Sequence, residues 1–190
     1  SAILPHATGP SITAMWPTSA SRTAYANRWI EVSEDVVQMP DGSEGVYGVV
    51  TVRHASVFVV AITDADEVVL VQLDRHTTGP GLEVPAGGTD GEQPLVAAQR
   101  ELEEESGYRA RQWREIGRMN ALNGICRAPE VVFLATGLSR AEAHGAQEEG
   151  ISAVRTVPWP GVMEMVRTGE ICDGETVAAL MYAALALGRL

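Results

Sequence analysis

Three acidic residues with helical spacing are the feature of this sequence that points most directly to chemistry. Glu101, Glu104 and Glu105 are related as i, i+3 and i+4, so on a helix they share one face. Carboxylates this close repel one another unless a cation lies between them. Hard divalent cations such as Mg²⁺ bind through oxygen, commonly through a few carboxylates together with substrate phosphates. The spacing therefore indicates a magnesium site for phosphate chemistry, although such acidic runs are usually only solvated faces.

The flanking residues predict a helix over residues 94–106. Pro94 suits the first turn, where its missing N–H costs no hydrogen bond, and Gly107 suits the left-handed position that ends a helix. Glu103 would point to another face and be solvated. The apolar positions expected to form a stripe against the core are Leu95, Ala98 and Leu102.

The segment 83–108 resembles the Nudix box, the family signature G-x5-E-x7-R-E-U-x-E-E-x-G-U, in which U is an apolar residue. The positions in register with it are Glu92, Arg100, Glu101, Leu102, Glu104, Glu105, Gly107 and Tyr108. One position departs, because Ala86 stands where the glycine is expected and Gly87 is one residue too close to Glu92. We interpret this as a one-residue shortening of the loop at residues 88–91. The helix carboxylates are unaffected, whereas the loop's contact with substrate is put in question.

Composition restricts the class of protein. The 190 residues fit one domain with an ordinary core, and a formal net charge of −11 argues against nonspecific binding to nucleic acid or to an anionic membrane. No apolar run reaches membrane-spanning length. Cys126 and Cys172 are too few for a disulfide framework or a zinc site, and we expect both to be buried, reduced thiols of a cytoplasmic protein.

The pattern of apolar runs and turns predicts an α/β fold. Residues 1–22 are interpreted as a flexible N-terminal arm, and residues 23–190 as the Nudix domain, in which residues 23–53 form a β-hairpin extension. The resemblance implies the same α/β/α sandwich with a mixed sheet. Besides the box helix, strands are predicted at 29–39, 45–52, 57–62, 68–73, 130–136 and 152–157, and helices at 161–168 and 176–187.

Beyond the box, the chain is most similar to the ADP-ribose pyrophosphatase branch of the family. The segments 27–30, 70–75, 83–87 and 169–173 carry this weaker resemblance. In that branch two subunits exchange their N-terminal hairpins, so a homodimer is implied. A proline common about sixteen residues beyond the box is absent here, where residues 122–124 read Leu-Asn-Gly. That departure lies outside the box, so it bears on the substrate and not on the reaction type.

The resemblance also implies roles for the box residues. Glu101 and Glu105 would be the principal Mg²⁺ ligands, with the Ala86 carbonyl and Glu104 as further ones, and Mn²⁺ could substitute. Glu104 has a second interpretation, in which it contributes to catalysis only by pairing with Arg100 and steadying the helix. Glu92 is expected to pair with Arg100 and hold the loop against the helix.

A general base must take a proton from the attacking water. In the similar branch this is a glutamate in the loop after the strand that follows the box. Here the loop 138–150 contains Glu142, Glu148 and Glu149. Glu149 matches the placement best and Glu148 is the second candidate. An ordinary acidic surface loop is the alternative.

Four further residues are candidates for substrate binding by the same resemblance. Arg75 matches a position that binds phosphate or the distal sugar, and a surface salt bridge is the alternative role for this arginine. Glu83 would bind a ribose hydroxyl or orient the metal ligands. Trp29 and Tyr47 match aromatic positions that enclose a nucleobase, and packing within the N-terminal sheet is the alternative for both.

Together these residues predict a Mg²⁺-dependent hydrolase of a small nucleotide in which a nucleoside diphosphate is linked to another group. The substrate closest to the resemblance is ADP-ribose, cleaved to AMP and ribose 5-phosphate. Nucleotide sugars, dinucleoside polyphosphates and NADH stay open as other substrates. A catalytically silent Nudix module that senses such a ligand is the non-enzymatic alternative, which the complete set of box carboxylates disfavours.

Overall fold

The computed structural model describes residues 16–141 and 150–189. Its strands are β1 (Thr18–Ala26), β2 (Ile30–Gln38), β3 (Glu44–Val52), β4 (Ser56–Ala61), β5 (Glu67–Arg75), β6 (Gly79–Glu83), β7 (Ala86–Gly88), β8 (Tyr108–Asn120), β9 (Cys126–Arg127), β10 (Pro129–Arg140) and β11 (Ile151–Pro158). Its helices are α1 (Pro94–Ser106), α2 (Trp159–Thr168) and α3 (Gly174–Leu187). The chain divides into two compact units, Ser1–Thr51 and Val52–Leu190.

The N-terminal unit is built on strands β1 and β2, which pair antiparallel with Ser21 opposite Asp35, and on β3, which is hydrogen-bonded to β2. Strand β1 begins at Thr18, so the prediction of an arm reaching residue 22 is wrong for residues 18–22. Pairing with β2 satisfies the backbone groups of this stretch. Because every residue of β1 is exposed, no alternation of apolar and polar residues marks the strand in the sequence.

The second unit contains two sheets. The first has the order β7-β4-β10-β8, in which β10 runs parallel to β4 and antiparallel to β8, and β4 runs antiparallel to β7. The second is antiparallel with the order β11-β5-β6. A single bridge between Ile62 and Val68 connects the end of β4 to β5. The predicted mixed sheet is therefore confirmed.

Alternate residues of β4 and β10 face opposite helices, which produces the predicted α/β/α layers. One core cluster packs α1 on one face of the sheet; it includes Val57, Val59, Ala98, Leu102, Val131 and Phe133. The other core cluster packs α2 and α3 on the opposite face; it includes Phe58, Val60, Val132, Leu134, Val162 and Leu180. Central strands covered on both sides are continuous apolar runs, as these two are.

Helix α1 has the predicted limits. Gly107 adopts φ 67° and its N–H donates to the carbonyl of Glu103 at 2.9 Å, which ends the helix. The predicted apolar stripe needs one correction, because Leu95 is 41% exposed whereas Ala97 is fully buried. The buried face of α1 also contains Glu101 and Glu105, and Leu95 lies outside this face.

Strand β8 was not predicted, although it follows the box directly. It pairs with β10 along its length, with Trp113 opposite Ala135. Polar and charged residues, four arginines among them, interrupt its apolar pattern, and most of its side chains are at least partly exposed. The expectation of buried thiols is also wrong, because Cys172 is exposed and Cys126 only partly buried; neither forms a disulfide.

No helix in the described ranges is long and apolar enough to cross a membrane.

Candidate active site

The loop before the box helix is held directly against the predicted metal ligands. Strand β7 pairs with β4, which places Ala86 opposite Phe58. The backbone N–H of Ala86 donates to Oε2 of Glu105 at 2.8 Å, and both residues are buried. A Cβ added to Gly87 would lie 2.2 Å from the carboxylate of Glu101, so only glycine allows this approach. The loop and two helix carboxylates therefore form one closely packed unit.

Arg100 joins the loop to the acidic face of α1. Its guanidinium donates to Oε2 of Glu92 at 3.1 Å and to the Gly88 carbonyl at 2.9 Å. It also donates to Oε1 of Glu101 at 2.7 Å and to Oε2 of Glu104 at 3.1 Å. The pairing of Glu92 with Arg100 occurs as predicted. Glu104 forms the pair given by its supporting interpretation, and ligation by Glu104 stays a prediction.

The donors gathered here suit a hard divalent cation. Carboxylate oxygens of Glu101, Glu104 and Glu105 and the carbonyl of Ala86 are the oxygen ligands that Mg²⁺ prefers. Among the described residues, however, no three Asp, Glu, His or Cys side chains already converge as a metal site. Arg100 contacts Glu101 and Glu104 instead and supplies positive charge between them. Glu103 lies outside this group and pairs with Arg109, so it is not merely solvated as predicted.

Arg75 and Glu83, both predicted to bind substrate, bind each other in this structure. Two donors of Arg75, at the end of β5, contact the buried carboxylate of Glu83 at 2.7 and 3.3 Å. The hydrogen bonds that Arg75 donates to Glu83 raise the pKa of Arg75, and the negative charges of Glu83, Glu105 and Asp173 raise it further. Arg75 is therefore a cation in an acidic region that extends from the box helix to the beginning of α3.

The beginning of α3 is hydrogen-bonded to the residues just before the box loop. The Thr176 hydroxyl accepts a hydrogen bond from the N–H of Val84 at 3.2 Å, two residues before Ala86. Asp173 caps the helix, because its Oδ2 accepts from the N–H of Thr176 at 2.7 Å. Burial raises the pKa of Glu175, as do its side-chain hydrogen bond with Asp173 and the charges of Asp173 and Glu83.

Glu130 is a candidate functional residue that was not predicted from the sequence. It lies near the start of β10 with only 6% of its surface exposed, and its Oε2 has no hydrogen-bond partner. Burial raises the pKa of Glu130 to about 7, and the negative charges of Glu175 and Asp173 add to the effect. A signal was present, because a glutamate directly precedes the apolar run of a central strand. Charged residues are almost never fully buried without a partner.

The predicted nucleobase residues lie in the N-terminal unit. Trp29 is 60% exposed and the Arg28 guanidinium lies 4.0 Å from its ring centroid, so Trp29 is not a core residue. Tyr47 is partly buried and packs edge-on against Trp16, with ring centroids 6.0 Å apart. A role for either side chain in binding a base stays a prediction. Glu148 and Glu149, the candidate bases, lie outside the described residues, as does Glu142.

Comparison with known proteins covers both units. Residues 52–180 match the family model described as the NUDIX domain, and residues 16–50 match that of a nucleoside diphosphate sugar hydrolase N-terminal domain. An ADP-ribose pyrophosphatase from Mycobacterium tuberculosis is 33% identical over 177 residues, which are 86% of this chain and 81% of that protein.

Two further proteins show the breadth of this similarity. A methanol dehydrogenase activator from Bacillus methanolicus is 30% identical over 172 residues, covering 88% of this chain and 92% of that protein. A solved structure described as an ADP compounds hydrolase superposes with a TM-score of 0.79 at 19% identity, over 92% of this chain and 97% of that one. The box geometry and the match over most of the chain lead to one conclusion: this protein belongs to the Nudix hydrolase family.

Proposed function

We propose that this Nudix pyrophosphohydrolase cleaves ADP-ribose to AMP and ribose 5-phosphate in a Mg²⁺-dependent reaction. The observation that carries the proposal is the buried contact of Glu105 with the Ala86 N–H, beside Glu101 and the close backbone of Gly87. This arrangement preserves the loop and the carboxylates that the box chemistry requires. The 33% sequence identity with an ADP-ribose pyrophosphatase, over most of both chains, supports the choice of substrate.

Glu101, Glu105 and the Ala86 carbonyl would hold the metal, with Glu104 as a further ligand. When bound, Mg²⁺ would polarise phosphoryl oxygens and stabilise the charge that develops as the P–O bond breaks. The chain's own part is to hold these oxygens in place, which the Ala86 N–H does for Glu105. Arg100 holds the carboxylate of Glu101 by a hydrogen bond, so these side chains need less reorganisation when the metal binds.

Arg75 is the proposed phosphate-binding cation. A guanidinium recognises phosphate and carboxylate with the same bidentate geometry, and the two-donor contact of Arg75 with Glu83 supports this role. A diphosphate would compete with Glu83 for these donors. Release would free the Glu83 carboxylate to accept a hydrogen bond from a ribose hydroxyl.

Glu149 is the proposed base that takes a proton from the attacking water, with Glu148 as the second candidate. Water attacks a phosphorus atom, the bond from that phosphorus to the bridging oxygen breaks, and the two halves leave as monophosphates. A carboxylate suits this role because it accepts a proton only as the new P–O bond forms.

We further propose a cytoplasmic homodimer in which Trp29 and Tyr47 enclose the adenine. An exposed tryptophan is unusual, and stacking on a base is a common use for one. The N-terminal extension of residues 23–53 is the proposed dimerising segment, and β1, which leads into it, is exposed throughout. Two free thiols suit the reducing cytoplasm.

A nucleotide sugar is the second candidate substrate. The match of residues 16–50 to a nucleoside diphosphate sugar hydrolase N-terminal domain favours it. Both candidates share a nucleoside diphosphate and differ in the base and the attached sugar. The same carboxylates would serve either reaction.

A substrate panel tests the proposal. The protein would be incubated with Mg²⁺ and ADP-ribose, ADP-glucose, GDP-mannose, diadenosine tetraphosphate or NADH, and the products identified by mass spectrometry. We expect AMP and ribose 5-phosphate from ADP-ribose with the highest kcat/KM of the panel, and no product in excess EDTA. Preference for a nucleotide sugar would establish the second candidate, and binding without turnover of any compound would establish a sensor.

A further inference from the structure

Glu130 is buried among the apolar residues of a central strand without a partner for one of its oxygens. It stands opposite Ser56 of β4 and Met119 of β8, in the alternating set that includes Val132 and Leu134. That set faces α3. A buried polar atom without a hydrogen bond is destabilising in a folded protein. The unpaired Oε2 of Glu130 is therefore an acceptor that a bound ligand could satisfy.

Two more carboxylates face the same place from another element. Asp173 and Glu175 stand at the beginning of α3, and their negative charges act on Glu130. The side chains of Asp173 and Glu175 are also hydrogen-bonded to each other.

The cluster borders the box site. The hydroxyl of Thr176, next to Glu175, accepts a hydrogen bond from the N–H of Val84. Two residues after Val84, the N–H of Ala86 donates to Glu105. Arg75 experiences the charge of both Glu105 and Asp173. A diphosphate held by Arg75 and the box carboxylates would therefore extend one of its attached groups toward Glu130.

The chemistry of the cluster restricts what that group can be. Carboxylates accept hydrogen bonds from hydroxyl groups, and a carboxyl group that retains its proton can also donate one. An additional phosphate would meet three acidic side chains, while the neighbouring cation Arg75 would already be occupied by the diphosphate. Charge repulsion at short range in a partly buried site is strongly unfavourable.

We infer that Glu130, Asp173 and Glu175 form a subsite for the non-nucleotide half of the substrate, which accepts an uncharged, hydroxyl-bearing group and rejects one carrying a further phosphate. This inference rests on the proposed function and narrows the range of substrates. The subsite would accept sugar-linked substrates and reject those in which the second half is itself a phosphate chain.

A matched pair of substrates tests the subsite. ADP-ribose and ADP-ribose 2″-phosphate share the adenylate and the diphosphate and differ by one phosphate on the terminal ribose. Their kcat/KM values would be measured at pH 8.5 for wild type, Glu130→Gln and Glu175→Gln. Glutamine keeps the size of the side chain and removes its charge, so a change in the ratio reports charge rather than shape. Glu164→Gln, on the exposed face of α2, is the control with the same change in net charge.

We expect wild type to prefer ADP-ribose by about a hundredfold or more, and each subsite variant to reduce this preference by about tenfold. The control should keep the wild-type ratio. Because Glu175 is only partly buried, its variant tests the inference even if Glu130→Gln folds poorly. Cleavage of ADP-ribose with the same ratio in both subsite variants would overturn the subsite alone. No cleavage of ADP-ribose by wild type would instead overturn the proposed function and the subsite with it.

Discussion

The backbone N–H of Ala86 and the carboxylate of Glu105 are joined by a buried 2.8 Å hydrogen bond across 19 residues of sequence. Ala86 is held in strand pairing with Phe58, and Glu105 occupies the last turn of α1. The contact therefore ties the helix to the sheet through an atom of the proposed metal site. A hydrogen bond to a charged group is among the stronger ones in proteins, so this contact both positions the carboxylate and stabilises the fold.

Replacing Glu105 by glutamine should abolish most of the activity and preserve the fold. The amide oxygen can still accept from Ala86, whereas the charge that would bind the cation is lost. We expect kcat on ADP-ribose to fall by about 100- to 1,000-fold with little change in melting temperature. Glu103→Gln, whose side chain pairs with Arg109, is the control and should remain active. Unchanged turnover in Glu105→Gln, or turnover that persists in excess EDTA, would rule out the metal mechanism.

Arg100 should be required for stability as well as for activity. Its removal would take away the positive charge that contacts the buried carboxylate of Glu101 and the neighbouring carboxylate of Glu104. Breaking a buried pair in this way costs about 3 kcal/mol or more, so we expect Arg100→Ala to lower the free energy of unfolding in urea by about that amount. Arg118→Ala, which removes an exposed pair with Glu115, should cost less than about 1 kcal/mol. Equal losses in the two variants would contradict the central role of Arg100.

The candidate bases can be distinguished by kinetics. If Glu149 takes the proton from water, Glu149→Gln should lower kcat far more than it changes KM, because the transfer contributes only in the transition state. The expected loss is about 100- to 10,000-fold. Glu148→Gln is the neighbouring control and should be mild. A reversed ranking would move the role to Glu148, and no effect in either variant would remove the loop from the mechanism.

The buried carboxyl of Glu130 should make stability depend on pH. Its pKa rises from the ordinary 4.5 to about 7 on folding, so the folded state holds the proton more tightly than the unfolded state. The stability of wild type should therefore decrease as pH rises from about 4.5 to about 7, and this loss should be absent in Glu130→Gln. Thermal melts across this range would show a growing advantage of the variant.

Glu164 provides a control of opposite sign for this titration. The hydrogen bond from Arg167 lowers its pKa, so its contribution is present above pH 4.5 and is lost on acidification. Glu164→Gln should therefore show no gain between pH 4.5 and 7. Parallel melting curves of wild type and Glu130→Gln across this window would show that Glu130 is not held protonated in the folded protein.

Trp29 tests the proposed adenine contact and the dimer. If its exposed ring stacks on the base, Trp29→Ala should weaken ADP-ribose binding by about 1–3 kcal/mol and spare the slow hydrolysis of substrates that lack a base. Light scattering should show a dimer for the intact chain, and deletion up to Thr51 should abolish both dimer and activity. A monomer that cleaves ADP-ribose well would refute the proposed homodimer, and full affinity in Trp29→Ala would refute the adenine stack.

Local chemistry made the central helix and its cluster predictable. Pro94 and Gly107 set the limits of α1, and the spacing of Glu101, Glu104 and Glu105 places them together whatever the rest of the chain does. The central strands β4, β5 and β10 were also predicted, because strands buried on both faces are continuous apolar runs. The exposed strand β1 and the arginine-rich β8 have no such runs. These two segments are identified as strands only by their pairing with β2 and β10 in the structure.

Sequence alone established the family, the box carboxylates and the layered α/β architecture, since each follows from residues that are close along the chain. The tertiary structure decided which distant groups meet. Glu83 binds Arg75, Glu105 accepts from the N–H of Ala86, and Glu130 is buried in β10 without a hydrogen-bond partner for its Oε2. No local pattern encodes these contacts, because they depend on how strands and helices pack, and burial is what gives such charges their altered chemistry.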